Sequence, residues 1–582
     1  MPSLTLGFSN TGHDATAALF ADGKLLAAIA EERLERVKAC GRAIPQLAID
    51  EVLRFAGATR RDVSRIGMMC GHFPQRYIRH PSAAGETPPP AQASGDEIIW
   101  TGEVLREALT AGKSYAQCFR NEVFLEEQGF RPDTRVSFHS HHKAHAVLGG
   151  FYSGVDECLV ITADGHGDLD ESHTTSRYRN GRLETLSVTQ GCGNSPGLFY
   201  QTITELLGFH PGRHEGKILG LAAFGDPAPL LSAFRKALRA APCETRFASD
   251  FSEPQTADRD RRAFLESAIQ GHCRENVAAA AQQVLETAFL AIVKRQVADT
   301  GVRHVALNGG VAANVKLNQR IAALPEVDST FVFPGMSDTG NAIGAALLAI
   351  EQDIPGFLGE QQHALDDVYL GPEYGDAEIG QELQAHGLRY ATLDREALVD
   401  RGARAIHEGL VIGWFQGRME FGPRALGNRS MVARPVDASI NTALNARLDR
   451  TEFMPFAPSI LAERADELFI GTDKAAHAAE FMTVTFDVRD EWKLRIPAVV
   501  HVDGTARPQL VRADRNPLYH ALIRRYSELS GIPLVLNTSF NVHEEPIVCA
   551  PAEAIRALRD DRIDALAIGS FWVDNPLRKG VA

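Results

Sequence analysis

Twice in this chain a short apolar strand runs into a polar, glycine-bearing turn and then doubles back as a β-hairpin. Residues 4–8 lead through Ser9-Asn10-Thr11-Gly12-His13-Asp14 into a strand at 15–20, Asp22-Gly23 turns the chain, and 25–29 form a third strand. Asp-Gly between two apolar runs is a strong two-residue hairpin signal. The plan returns at 158–162, with Ala163-Asp164-Gly165-His166-Gly167-Asp168, a strand at 171–178, an Asn180-Gly181 turn and a strand at 183–188. The repetition is one of topology rather than of letters, and it predicts two similar lobes facing one another. Helical stretches at 44–56 and 275–298 follow the hairpins. A strand at 304–307 then meets Asn308-Gly309-Gly310 and opens a helix through Asn314.

One glycine turn alone is ordinary loop punctuation. Three in matching positions resemble the actin, Hsp70 and sugar-kinase superfamily, an α/β fold whose turns cradle nucleotide phosphates with backbone N–H groups and a cation. The resemblance makes Asn308, Gly309, Gly310 and Asn314 nucleotide-binding candidates.

His141-His142-Lys143-Ala144-His145 places His141 and His145 one helical turn apart on one face, within reach of a single metal ion. Asp164, at a strand end, and Asp338, in Gly335-Met336-Ser337-Asp338-Thr339-Gly340-Asn341, would add oxygen ligands from opposite lobes. Such a set discriminates weakly between zinc, manganese and iron.

At 582 residues the chain exceeds a single core. The charge balance, 60 − 74 = −14, argues against extended contact with nucleic acid. Eight scattered cysteines without a C-x-x-C pair suggest neither zinc ribbon nor disulfide framework. The start MPSLTLGFSN does not read as a signal peptide. No uncharged apolar run reaches the roughly 18 residues of a membrane span. The expectation is a cytoplasmic, reduced protein with no membrane partner, divided between residues 355 and 372 into domains 1–360 and 361–582.

The second domain is arginine-rich. In Gly417-Arg418-Met419-Glu420-Phe421-Gly422-Pro423-Arg424-Ala425-Leu426-Gly427-Asn428-Arg429-Ser430, three arginines alternate with glycines and a proline. That composition suits a loop lined with guanidinium groups, which bind phosphate or carboxylate through paired hydrogen bonds. Arg450, Arg507, Asn537 and Ser539 extend the candidate pocket. The last two lie at the end of the apolar run 532–536, where an amide and a hydroxyl could read a carbamoyl group.

Taken together, the motifs resemble the O-carbamoyltransferases of the nodulation-protein U and cephalosporin or aminoglycoside type. They run in order over almost the full length: GHDA at 12–15, EER at 31–33, HHKAH at 141–145, DGHGD at 164–168, EGK at 215–217, NGGVAANVKLN at 308–318, the Asp338 turn, GRMEFGPRALGNRS at 417–430, HVDGTARPQ at 501–509 and LNTSFN at 536–541. The resemblance implies an actin/Hsp70-like, TsaD-like transfer domain followed by a YrdC-like α/β domain. The latter would make carbamoyl-adenylate from carbamoyl phosphate and ATP, with Mg2+ accompanying ATP. Arg418 and Arg507 are the implied catalytic arginines, Arg424 and Arg450 further phosphate contacts, and Asn537 and Ser539 face the carbamoyl end. Fe2+ held by His141, His145, Asp164 and Asp338 would then bind the adenylate phosphate. A small-molecule hydroxyl would attack with His13 as base, and Lys38 and Lys217 would contact phosphate. A homodimer is compatible with this scheme.

Rival readings are a tRNA threonylcarbamoyl-type transferase, disfavoured by the acidic balance and the fused arginine-rich domain, and a hydrogenase-maturation carbamoyltransferase, whose acylphosphatase and zinc modules do not appear. A non-catalytic, regulatory ATP-binding protein would keep the glycine turns without needing the arginine pocket.

Overall fold

The computed structural model describes residues 2–79, 98–253, 256–449 and 455–578. The chain forms two compact units, one running to Leu365 apart from Arg36–Lys38, the other made of Asp366 onward together with those three residues.

The first unit holds two five-stranded sheets of one design. Strands β1 (Leu4–Ser9), β2 (Thr16–Ala21), β3 (Lys24–Ala30), β4 (Val63–Met69) and β5 (Arg135–His139) are ordered β3-β2-β1-β4-β5. Strands β6 (Glu157–Ala163), β7 (Glu171–Arg179), β8 (Arg182–Gln190), β9 (His304–Asn308) and β10 (Ser329–Val332) are ordered β8-β7-β6-β9-β10. In each sheet the first three strands are antiparallel and the last two join in parallel. The duplicated hairpins read from the sequence are therefore the two lobes of an actin/Hsp70-like fold. Strand β6 is buried on both faces over Cys158–Ala163, as a strand between helical layers must be.

Two helices exchange lobes. Helix α1 (His141–Phe151) follows the last strand of the first sheet but packs on β6, β7 and β9 of the second. Further along, α2 (Arg274–Thr300) and α3 (Val315–Ala322) belong to the second lobe. Helix α4 (Asn341–Asp353) follows the last strand of the second sheet but lies on β1 and β4 of the first, and it also packs on α1. Glycine permits this approach: a β-carbon at Gly67 would sit 2.6 Å from the Ala345 carbonyl carbon. The exchange brings the N-terminal ends of α1 and α4 to one place.

Among the described residues α2 alone is long and apolar enough to cross a membrane, but 72% of that stretch is buried, mostly in the second lobe's core.

The second unit is built on an eight-stranded mixed sheet of β11 (Ala391–Thr392), β12 (Ile412–Phe415), β13 (Arg429–Ala433), β14 (Ala457–Leu461), β15 (Gln509–Val511), β16 (Leu534–Ser539), β17 (Ala565–Ile568) and β18 (Phe571–Asp574). Their order is β11-β18-β17-β12-β13-β16-β14-β15. Helices α5 (Arg395–His407) and α6 (Pro517–Ser530) pack on each other against it.

Candidate metal centre and arginine loop

The four predicted ligands come together, with donor atoms all within 4.8 Å of one another. His145 Nε2 lies 3.3 Å from both Asp164 Oδ2 and Asp338 Oδ1, and His141 Nε2 lies 3.7 and 3.4 Å from the same two oxygens. His141, His145 and Asp338 are buried and Asp164 is partly buried. The four residues arrive from three parts of the fold. The histidines occupy the first turns of α1, whose leading His141 N–H donates to Asp168 Oδ2 at 2.9 Å. Asp164 follows β6 and accepts from Gly165 N at 2.7 Å and Gly310 N at 2.9 Å. Asp338 leads into α4.

Burial alone would lower the His141 pKa, but Asp338 and Asp164 outweigh it and raise the ring to about 9. Burial alone would raise Asp164; the adjacent His141 and His145 rings instead hold it well below the usual carboxylate range. Two imidazoles and two carboxylates converging in a protected pocket fit a divalent cation such as iron, manganese or zinc. His141 Nε2 itself is buried and has no hydrogen-bond partner among the described residues.

His142, between the two, does something else. Its Nδ1 meets the Thr162 hydroxyl at 2.7 Å and its Nε2 faces the Glu171 carbonyl at 3.0 Å. Burial, then the neighbouring histidine charges, push its pKa down to about 3, so this ring is a neutral strut between α1 and the second sheet.

His13 sits in the first-lobe turn with its side chain 48% exposed and Nδ1 3.4 Å from Asp14 Oδ2. The Asp14 hydrogen bond, opposed by burial and joined by the Asp14, Asp338 and Asp164 charges, raises it to about 10. The ring therefore lies within electrostatic reach of the cluster. Gly309 adopts φ +90°, where a β-carbon would lie 2.8 Å from the Ala163 carbonyl carbon, so this turn requires glycine. Asn308 donates to the His145 carbonyl at 2.8 Å. Asn314 caps α3 by accepting from Leu317 N at 3.0 Å, and its amide nitrogen donates to Gln282 at 2.8 Å. Lys217 is buried with its ammonium 5.8 Å from the Phe209 ring centre. Lys38 falls with the second unit.

In the second unit, the loop between β12 and β13 is held from several sides. Glu420 Oε1 accepts from the N–H groups of Leu426, Asn428 and Arg429 at 2.6, 2.9 and 3.0 Å. Arg429 is fully buried and donates to the carbonyls of Gln416, Asn428 and Pro372, with its guanidinium carbon 3.7 Å from the Phe415 ring centre. Arg418 donates to Leu370 O at 2.7 Å and Gly371 O at 3.2 Å. Arg424 and Arg507 are partly exposed. Asn537 lies buried within β16, and its amide nitrogen reaches Ala425 O at 3.0 Å and Ser459 Oγ at 2.9 Å. It thereby anchors the residue next to Arg424. The Ser539 hydroxyl donates to Asn541 Oδ1 at 2.6 Å. Arg450 lies outside the described residues.

Comparison with known proteins matches both units to one family. Its descriptions "Carbamoyltransferase N-terminus" and "Carbamoyltransferase C-terminus" cover residues 5–347 and 403–575. The chain belongs to the carbamoyltransferase family. Nodulation protein NolNO of Sinorhizobium fredii is 32% identical over 96% of this chain and 79% of its own length. Nodulation protein NolO of Bradyrhizobium diazoefficiens is 34% identical over 75% of this chain and 78% of its own. The 3'-hydroxymethylcephem-O-carbamoyltransferase of Streptomyces clavuligerus is 29% identical, covering 61% and 64% respectively.

Sequence reading passed over two residues of this carbamoyltransferase. Glu420 stands within the arginine motif, where a lone acid reads as a charge partner rather than a backbone clasp. Asn341 ends the Asp338 turn, and its i, i+3 spacing from Asp338 was the available signal.

Proposed function

We propose that this chain is an ATP-dependent O-carbamoyltransferase that makes carbamoyl-adenylate in the second unit and transfers its carbamoyl group to an alcohol in the first. The observation that carries the reading is the His141–His145–Asp164–Asp338 cluster, set between the lobes of a carbamoyltransferase N-terminal region. A first stage that balances takes up one water: carbamoyl phosphate and water yield carbamate and phosphate, and carbamate displaces pyrophosphate from ATP. In the second stage the acceptor oxygen bonds to the carbamoyl carbon, AMP leaves, and the hydroxyl proton must be taken up.

The arginine loop supports the first stage. Glu420 and Arg429 fix its backbone, and Arg418, Arg424 and Arg507 would offset phosphate charge as it builds. In the first unit His141, His145, Asp164 and Asp338 would hold a divalent cation, iron by family resemblance. When bound it supplies Lewis acidity toward a phosphate oxygen, making AMP a better leaving group. His13, paired with Asp14 and held protonated at neutral pH by a pKa raised to about 10, is suited to offset phosphate charge, and it takes up the acceptor's proton only after giving its own to solvent. The relatives support an acceptor class: one is named for acting on a hydroxymethylcephem and others for nodulation, which favours a hydroxyl of a natural product or glycoside as the substrate.

The test is pyrophosphate release from Mg2+-ATP with and without carbamoyl phosphate, followed by mass spectrometry of a panel of sugar and natural-product alcohols. Carbamoyl-phosphate-dependent release and a carbamoylated product are expected. ATP hydrolysis indifferent to carbamoyl phosphate, with no carbamoylated alcohol, would sink the proposal.

A further inference from the structure

We propose that Asp168 is a positioning residue of the four-donor cluster: its carboxylate holds the main chain of His141, so that the single turn 164–168 both supplies one ligand, Asp164, and fixes the helix carrying the two histidines. The inference rests on the metal reading given above. Asp168 is buried, and its Oδ2 accepts the His141 N–H at 2.9 Å across 27 residues of sequence. That N–H is the first of α1, one of the donors a helix leaves without an internal partner. Ser140 stands at the capping position but makes no side-chain capping bond, and the cap comes from the second sheet's turn instead. A carboxylate suits this place, because the aligned peptide dipoles concentrate positive charge at a helix N-terminus. On the histidine side the contact uses main chain alone. It leaves Nε2 of both rings and the oxygens of Asp164 and Asp338 to the cation, so it is compatible with the metal-bound state.

The turn is built to hold that carboxylate in place. The Asp164 N–H donates to Ser172 O at 2.9 Å and the Gly167 N–H to Glu171 O at 2.6 Å, which ties the turn to the start of β7. A β-carbon at Gly167 would stand 3.0 Å from His141 Cβ and Cδ2, so the turn bears on the ring as well as on the main chain. Directly after Asp168 the backbone is left-handed at two successive residues, with φ 56° at Leu169 and 60° at Asp170. Leucine rarely adopts this conformation, and it is kept only where the surrounding structure enforces it. Here it carries the chain into β7 while the Asp168 carboxylate stays on α1.

The support from His142 does not replace this clasp. Its ring braces α1 on Thr162 and Glu171, whereas Asp168 grips the chain at the residue that bears a ligand. Sliding or rotation of the first turn of α1 would move His141 and His145 together away from Asp164. Asp168 opposes that displacement because it belongs to the same tied turn as Asp164. Polar groups just outside a metal's ligands act in this way, orienting the ligands so that their loss weakens binding.

The full-length protein, Asp168→Ala and Asp168→Asn, stripped of metal and titrated with Co2+, test the idea through chelator competition and visible absorption. Asp168→Ala is expected to bind about 10- to 100-fold more weakly, with an altered absorption envelope. Asp168→Asn keeps an accepting oxygen at the same reach but no charge, and is expected to restore the wild-type envelope and most of the affinity. Should the alanine variant fail to fold, Asp168→Glu, which keeps the charge and displaces it by one methylene, is expected to give the same loss. Unchanged affinity in the folded alanine or glutamate variant, or a loss that asparagine shares, overturns the inference and leaves the metal reading standing. Failure of the wild-type protein to bind Co2+ overturns both.

Discussion

Gly344 lies directly against Ala144: a β-carbon on Gly344 would stand 2.8 Å from the Ala144 carbonyl carbon and clash with its oxygen. The contact joins α4 to α1 near the ends that carry Asp338 and the two histidines. The ligand geometry is thus set partly by how closely two helices of opposite lobes can approach.

Gly344→Val should therefore be costly beyond its local strain. Forcing bulk into this contact is expected to lower stability by about 1–3 kcal/mol. It should also weaken metal binding, although residue 344 touches no ligand. Thermal denaturation and metal titration check the two effects separately. A variant that melts early but binds metal normally would show that the helix contact does not govern the cluster.

The paired hairpins and the Asn308-Gly309-Gly310 turn were legible because each is written in contiguous residues, and the shared face of His141 and His145 because their spacing follows the helical period. What was not legible depends on tertiary partners. HHKAH does not reveal that His142 props α1 on Thr162 and Glu171 while its neighbours face the cluster, because that division depends on where the second sheet lies. Nor does the run of arginines reveal that Arg429 serves backbone carbonyls while Arg424 stays partly exposed. Asn537 could be placed near a buried strand end, but its bonds to Ala425 and Ser459 depend on sheet order.

Arg429→Lys should destabilise the second unit despite keeping the charge. One ammonium cannot reproduce a planar fork that serves Gln416, Gly417, Asn428 and Pro372 and stacks on Phe415. The expected cost is about 1–3 kcal/mol, the range for leaving buried hydrogen-bonding groups without their partners. Urea denaturation of the variant measures it; a loss confined to the range of surface substitutions would contradict the assignment.

The two stages of the proposed reaction should separate by mutation. His141→Ala is expected to abolish carbamoyl transfer while leaving carbamoyl-phosphate-dependent pyrophosphate release measurable. Arg507→Ala should cut pyrophosphate release and with it every later product. Following pyrophosphate and carbamoylated alcohol in the same reactions decides the matter. Equal loss of pyrophosphate release in both variants would refute the assignment of one stage to each unit.

Glu480 gives the second unit a pH signature of its own. It borders a shallow cleft with Tyr369, Phe481, Arg512 and Arg515. Burial raises its carboxyl from 4.5 to about 7, against the opposing pull of Arg512 and Arg515 and with Asp514 adding to the rise. Because the folded pKa lies above the unfolded one, the folded state holds this proton more tightly. The resulting stability is fully present below about pH 4.5 and is lost as pH rises through about 7, a change on the order of a few kcal/mol. Glu480→Gln removes the ionisation, so it should stabilise the protein relative to wild type more at pH 8 than at pH 5. Chemical denaturation of both proteins at those two pH values measures the difference. An identical gap at both would mean that Glu480 does not titrate differently in the folded and unfolded chains.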